Sequence, residues 1–255
     1  MSWASAWRLA VGTLTVIPVR PPDVVDRTVA GRAMALAPLA VLPLAVIAAG
    51  SGWLAARTGW PSLLAGLAVV AALALGTRAL HLDGLADTVD GLGSGRDRER
   101  SLEIMRRGDV GPMGVIALLL VLGGQAVAAS VLVSDVDGAA LLVVLIAASR
   151  TSLSVGCRAG VPAARAGGLG SAVAGSVSPL VLVGGWVVTG AVIVILAASA
   201  GVTWWIGLLA AVLGAGVAYG VVLVAVRRLG GITGDVLGAT VELALLAMLL
   251  TATVA

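Results

Sequence analysis

Apolar runs recur along nearly the whole chain, and that recurrence leaves few folds open. Of its 255 residues, 60% are hydrophobic and only 11% are charged. A soluble domain with a single core does not have that profile; a polytopic membrane protein does. At ~20 residues per span the length accommodates about seven spans and little else. The expected fold is therefore all-α, a polytopic membrane bundle of about seven transmembrane helices in one integral membrane domain over residues 1–255. Residues 3–19 are apolar apart from Arg8 but short for a span, and they read as a re-entrant or interfacial helix preceding the bundle.

The polar interruptions divide the rest. Expected spans run over about 33–54, 61–90, 113–133, 139–157, 177–199, 203–226 and 236–254. The second would continue as one helix past Arg78 and His81 to Asp90, ~45 Å long against a ~30 Å hydrocarbon core. Its acidic end would then protrude into water. Residues 92–112 are the most charged stretch, in which Glu103 has Arg106 and Arg107 at helical pairing distance.

All sixteen basic residues are arginine. With seven spans and the N-terminus inside, the inner loops hold thirteen of them and the outer loops only Arg57. The positive-inside rule selects that orientation, in a cytoplasmic membrane, with the acidic stretch 81–91, the charged loop 92–112, the glycine-rich loop after Arg158 and the loop 230–235 all on the cytoplasmic face. The arginines form no single stripe and aromatics are scarce, which argues against a nucleic-acid partner. The single Cys157 excludes an intrachain disulfide and a cysteine-based metal cluster. The lipid bilayer is an expected partner. The oligomeric state is left open, a homo-oligomer included.

Residues 81–91, His-Leu-Asp-Gly-Leu-Ala-Asp-Thr-Val-Asp-Gly, carry the chemistry. Asp83, Asp87 and Asp90 are four and three residues apart, so on a helix they turn by about 40° and −60° and share one face. Like charges that close repel, and a hard divalent cation, Mg²⁺ or Mn²⁺, removes the penalty and brings phosphates with it. The competing reading is a solvated acidic face, weakened by the adjoining apolar segment, where acids are costly. Asp235 opens the last helix and reads either as a site carboxylate or as an N-cap or first-turn acid favoured by the helix dipole. Glu242 lies inside a span and could be a buried partner for Arg150 or Arg78, or a substrate or metal contact. Arg96, Arg98 and Arg100 read as positive-inside residues or as phosphate contacts; Arg106 and Arg107, beside a glycine-rich loop, favour phosphate.

These stretches resemble the cobalamin synthase family, membrane adenosylcobinamide-GDP ribazoletransferases. The likeness rests on residues 81–91, on Glu103-Ile-Met-Arg106 with Gly111 and Gly114 behind it, and on Gly230-Gly231-Ile-Thr233-Gly234-Asp235 continuing to Glu242. It implies transfer of the cobinamide phosphate of adenosylcobinamide-GDP to α-ribazole or α-ribazole 5′-phosphate, with release of GMP. It implies Asp83, Asp87, Asp90 and Asp235 as ligands of Mg²⁺, with one of these aspartates or His81 as base. Arg96, Glu103, Arg106, Arg107, Gly111 and Gly114 become candidate substrate contacts, with Arg150, Thr233, Gly234 and Glu242. Two other classes stay open. Asp87-Thr-Val-Asp90-Gly91 also looks like half of a CDP-alcohol phosphotransferase motif, and intramembrane Glu242 and Arg150 suit a cation-coupled transporter.

Overall fold

The computed structural model describes residues 3–95 and 97–254, so Arg96 lies outside the described residues. No strand occurs among them. The first helix, α1 (Trp3–Leu14), spans 12 residues, ~18 Å, too short to cross a bilayer. It buries Ala6, Ala10, Val11 and Leu14 against α2 (Arg27–Arg57). Six residues earlier than expected, α2 begins because Asp26 caps it, accepting a hydrogen bond from the Val29 N–H at 2.7 Å.

The expected second span is two helices, α3 (Ser62–Gly76) and α4 (Leu80–Gly93), bent by 92°. This corrects the single 61–90 helix. Arg78 and Ala79 both sit at φ 55°, left-handed backbone that costs L-residues ~1–2 kcal/mol each. Docking holds them there. The Val16 N–H donates to the Gly76 carbonyl at 2.8 Å, and Arg78 Nη2 donates to the Gly12 carbonyl at 3.0 Å, so the end of α1 closes on the break. The Ala79 N–H returns to the Ala74 carbonyl at 2.7 Å, leaving the break with its own backbone bonds.

The charged stretch forms the short α5 (Arg98–Ile104), and α6 (Pro112–Leu132) follows. Helices α7 (Val136–Ser149) and α8 (Ser152–Gly156) together make one span. After the loop helix α9 (Gly168–Val173) come α10 (Pro179–Ser199), α11 (Trp204–Leu229) and α12 (Gly234–Ala252). Among the described residues six helices, α7 and α8 counted as one, are long and apolar enough to cross a membrane, and α3 with α4 brings the number to seven. The hub is α12, which touches α4, α6, α7, α8, α9 and α11. Small residues permit these approaches, as in lipid they must, because packing is the main force between helices there.

Candidate active site

The acidic helix α4 does not protrude. The bend lays it across the start of α12, where two glycines set the spacing. A Cβ on Gly84 would stand 2.7 Å from the Asp235 carbonyl oxygen, and one on Gly238 would stand 3.0 Å from that of His81. This contact brings Asp235 to the face of α4 that carries Asp83 and Asp87.

The three carboxylates differ in exposure and partners. Asp83 is exposed, while Asp87 is only 7% exposed. No hydrogen bond or ion pair reaches either among the described residues. Asp87 has Asp83, Asp235 and Asp90 within electrostatic reach, and only Arg165 opposes them. Asp90 is engaged elsewhere. Its two oxygens accept the Gly111 N–H at 2.7 Å and the Gly114 N–H at 2.9 Å, which binds α4 to the start of α6. Both glycines are required there, because a Cβ on either would run into that carboxylate. Gly111 and Gly114, expected to meet substrate, thus meet Asp90.

A second assembly aims Asp235. Thr233 caps α12, accepting the Val236 N–H at 3.2 Å and donating its hydroxyl to Asp235 Oδ2 at 3.0 Å. The loop before α9 pairs with the residues before α12: the Ile232 N–H donates to the Pro162 carbonyl at 3.0 Å and the Ala164 N–H to the Ile232 carbonyl at 2.9 Å. Arg98 locks the pair, donating to the Leu229 carbonyl at 2.7 Å and the Ala164 carbonyl at 2.8 Å. Arg165 is thereby placed 3.7 Å from Asp235 Oδ2. Asp83, Asp235, Arg165 and His81 line one cavity of about 170 Å³, whose far wall includes Met34 and Leu14. In the sequence Arg165 has no site role and Arg98 reads only as a positive-inside residue or phosphate contact, because neither stands in a motif that announces its partner.

Below this cavity lies a buried polar cluster. Gln125 donates to Glu242 Oε2 at 2.8 Å, and His81 Nδ1 stands 4.0 Å from Glu242 Oε1. Arg150, 1% exposed, donates to the Ile146 carbonyl at 2.9 Å and the Ser149 hydroxyl at 2.8 Å. It faces Glu242 across a void of about 10 Å³ and makes no direct ion pair with it. Arg78, bound to Gly12, is not the partner of Glu242. Arg150 and Glu242 therefore sit beneath the acidic cavity, not in its wall.

Arg100, Arg106 and Arg107 face solvent. Glu103 is held by Arg107 at 3.0 Å and by Arg100, and these two keep its carboxyl below the ordinary carboxylate range. Arg106 bonds back to the Leu102 carbonyl at 3.3 Å instead of to Glu103. Met105 seats this segment by packing over Gly91 of α4.

Comparison with known proteins bears on this arrangement. Residues 6–253 match the family described as cobalamin-5-phosphate synthase. The chain belongs to the cobalamin-5-phosphate synthase family. A Nocardioides relative named adenosylcobinamide-GDP ribazoletransferase is 47% identical over 96% of this chain and 96% of its own length. One of the same name from Frankia casuarinae is 41% identical over 95% and 92%. A third, from Rhizobium meliloti, is 37% identical over 86% and 84%. No solved structure matches the chain. The cobalamin-5-phosphate synthase match takes in both the α4–α12 contact and the Arg165 loop, so the assembled site lies wholly inside it.

The donor set also fits a hard divalent ion. Among the described residues no three acidic or histidine side chains stand close enough to share one ion unaided. Mg²⁺ does not require that: it keeps several waters and binds through one or two carboxylates and substrate phosphates. A nearly buried carboxylate without a partner, Asp87, beside three others is the feature such an ion would neutralise.

Proposed function

We propose that this chain is an adenosylcobinamide-GDP ribazoletransferase, acting in the last steps of cobalamin biosynthesis. The observation that carries the reading is the family match over residues 6–253, with relatives of that name aligned almost end to end. A hydroxyl of α-ribazole, or of its 5′-phosphate, attacks the phosphorus next to cobinamide. One P–O bond forms, the pyrophosphate P–O bond breaks, and GMP leaves with the bridging oxygen. Asp83 or Asp235, both in the cavity wall, takes the hydroxyl proton. Asp87 with the other of Asp83 and Asp235 would hold Mg²⁺ together with water and substrate phosphate, and the ion would supply charge neutralisation at the pyrophosphate. Asp90 positions these groups by fixing α4 on α6. Arg165, held opposite Asp235, neutralises phosphate from the other side, and Arg106 and Arg107 meet the leaving nucleotide. We place the site on the cytoplasmic face of the cell membrane.

The test uses membranes containing the chain, incubated with adenosylcobinamide-GDP, α-ribazole and Mg²⁺. GMP should appear with the joined cobamide. EDTA should stop the reaction, and Mg²⁺ or Mn²⁺ should restore it. Full turnover in metal-free buffer would remove the ion from the scheme. Turnover of a CDP-linked donor in place of the GDP-linked one would move the chain to the CDP-alcohol class.

A further inference from the structure

Away from the acidic cavity, two adjoining hollows have no part in the chemistry above. One is a slot of about 430 Å³ between α2, α7 and α10. Its walls are apolar, and Ala147, Ala148, Gly184 and Gly185 keep it open. The hydroxyls of Thr151 and Thr189, within it, bond to each other at 3.0 Å. The other is a hollow of about 300 Å³ with Arg27, Arg32 and Ser176 in its wall. Ala35 and Val181 line both, so the two adjoin end to end along α2 and α10.

The combined groove has the dimensions of one leaflet. Along α2 it runs from Arg27 to Leu42, and along α10 from the Ser178 cap to Val192. Either distance is ~20 Å at 1.5 Å per residue, half the ~40–45 Å of a bilayer with its head groups. Polarity is graded along it. The head end holds two arginines and no carboxylate; the inner end is hydrocarbon. Arg27 is fixed by donating to the Gly175 carbonyl at 3.0 Å, and Arg32 lies 4.8 Å over the Trp3 ring. The Ser176 hydroxyl is buried without a hydrogen-bond partner among the described residues, an arrangement that normally signals a missing acceptor.

We propose that this groove binds one anionic phospholipid of the surrounding bilayer. Its phosphate meets Arg27, Arg32 and Ser176, and one acyl chain enters the slot between α2, α7 and α10. Guanidinium forks suit phosphate oxygens, and a saturated chain suits the slot, which offers it no unpaired polar group. Met34 lines both this slot and the acidic cavity, so the bound chain packs against the wall of the active site.

The experiment counts retained lipid by native mass spectrometry. The protein is released from nanodiscs of equal phosphatidylglycerol and phosphatidylcholine. One phosphatidylglycerol per chain should persist, favoured about fivefold for each arginine at ~1 kcal/mol. Gly184→Leu should abolish retention by filling the slot, and it has room to fold, since a Cβ there meets nothing within 4 Å. Arg27→Gln should bring the two lipids toward equal retention. Gly216→Leu, on α11 and equally unobstructed, should retain lipid as the wild type does. Equal retention of both head groups overturns the proposal, as does normal retention by Gly184→Leu. So does displacement of the lipid by excess α-ribazole 5′-phosphate, which would give the groove to substrate. A cross-linked dimer from Gly184→Cys would give it to a second copy, with the same consequence.

Discussion

Asp87 and Asp90 stand three residues apart on one helix and face opposite demands. Asp87 has neighbours of its own sign and no bond to lose. Asp87→Asn should therefore leave yield and melting temperature unchanged, or raise them without metal, while turnover falls by more than the ~10–100-fold typical of outer-shell changes. Excess Mg²⁺ should restore part of it. Asp90 accepts two backbone N–H groups, bonds to a charged acceptor worth ~1.5–3 kcal/mol each. Asp90→Asn should lower thermal stability together with activity, and Mg²⁺ should not rescue it. If the two variants behave alike in both assays, the division of labour between them is wrong. Spacing alone grouped these carboxylates, because helical geometry is local. What separates them, the Gly111–Gly114 turn, lies more than twenty residues away. Arg165 escaped notice for the same reason: its position follows from the pairing of residues 162–164 with Ile232 and from Arg98. Glu242 is different again. Glu242→Gln would leave Arg150 charged and buried without a counter-charge, at a cost of about 1–3 kcal/mol or more. Thermal unfolding of that variant in detergent should show the loss at saturating Mg²⁺, where a substrate contact would show only a raised KM.

At the scale of elements, the α4–α12 contact decides whether there is a site. Gly84→Ala places a methyl group 2.7 Å from the Asp235 carbonyl oxygen, on a rigid backbone that cannot turn aside. Overpacking of this kind costs ~1–3 kcal/mol. The helices must separate, and Asp235 moves away from Asp83 and Asp87. The expected result is a weaker apparent affinity for Mg²⁺ in the transferase assay, alongside reduced stability. Unchanged Mg²⁺ dependence would mean that Asp235 is no part of the metal site. Most elements were legible beforehand: the expected 113–133, 177–199 and 203–226 correspond to α6, α10 and α11 within three residues at either end. A span facing lipid must be apolar for its whole length, so hydropathy marks it. The break at 77–79 was not legible. Gly76 and Thr77 were the only local hints, and the bend is held by the distant end of α1. Tertiary docking, not local propensity, made one expected helix into two.

For the whole molecule, one contact settles how many times the chain crosses. Arg27, at the start of α2, bonds to the Gly175 carbonyl just before α10. The two ends therefore lie on one side, and the chain between them must cross an even number of times. It contains α2, α6 and the α7–α8 span, which make three; α3 has to be the fourth. At 15 residues, ~22 Å, α3 is short for the ~30 Å core, a mismatch that local thinning accommodates. Seven crossings then put the arginine loops on the side of α4, and Trp60, Trp204 and Trp205 in the opposite interface. Single-cysteine labelling of intact cells with an impermeant maleimide can test this, because the native Cys157 is fully buried. Asp23→Cys and Asp109→Cys should both be protected, and Ser134→Cys and Val254→Cys should both react. Reaction of the first pair and protection of the second would invert the orientation and put the acidic site outside. A split within the first pair would mean that α3 does not cross, and the Arg27–Gly175 contact could not then exist in the membrane.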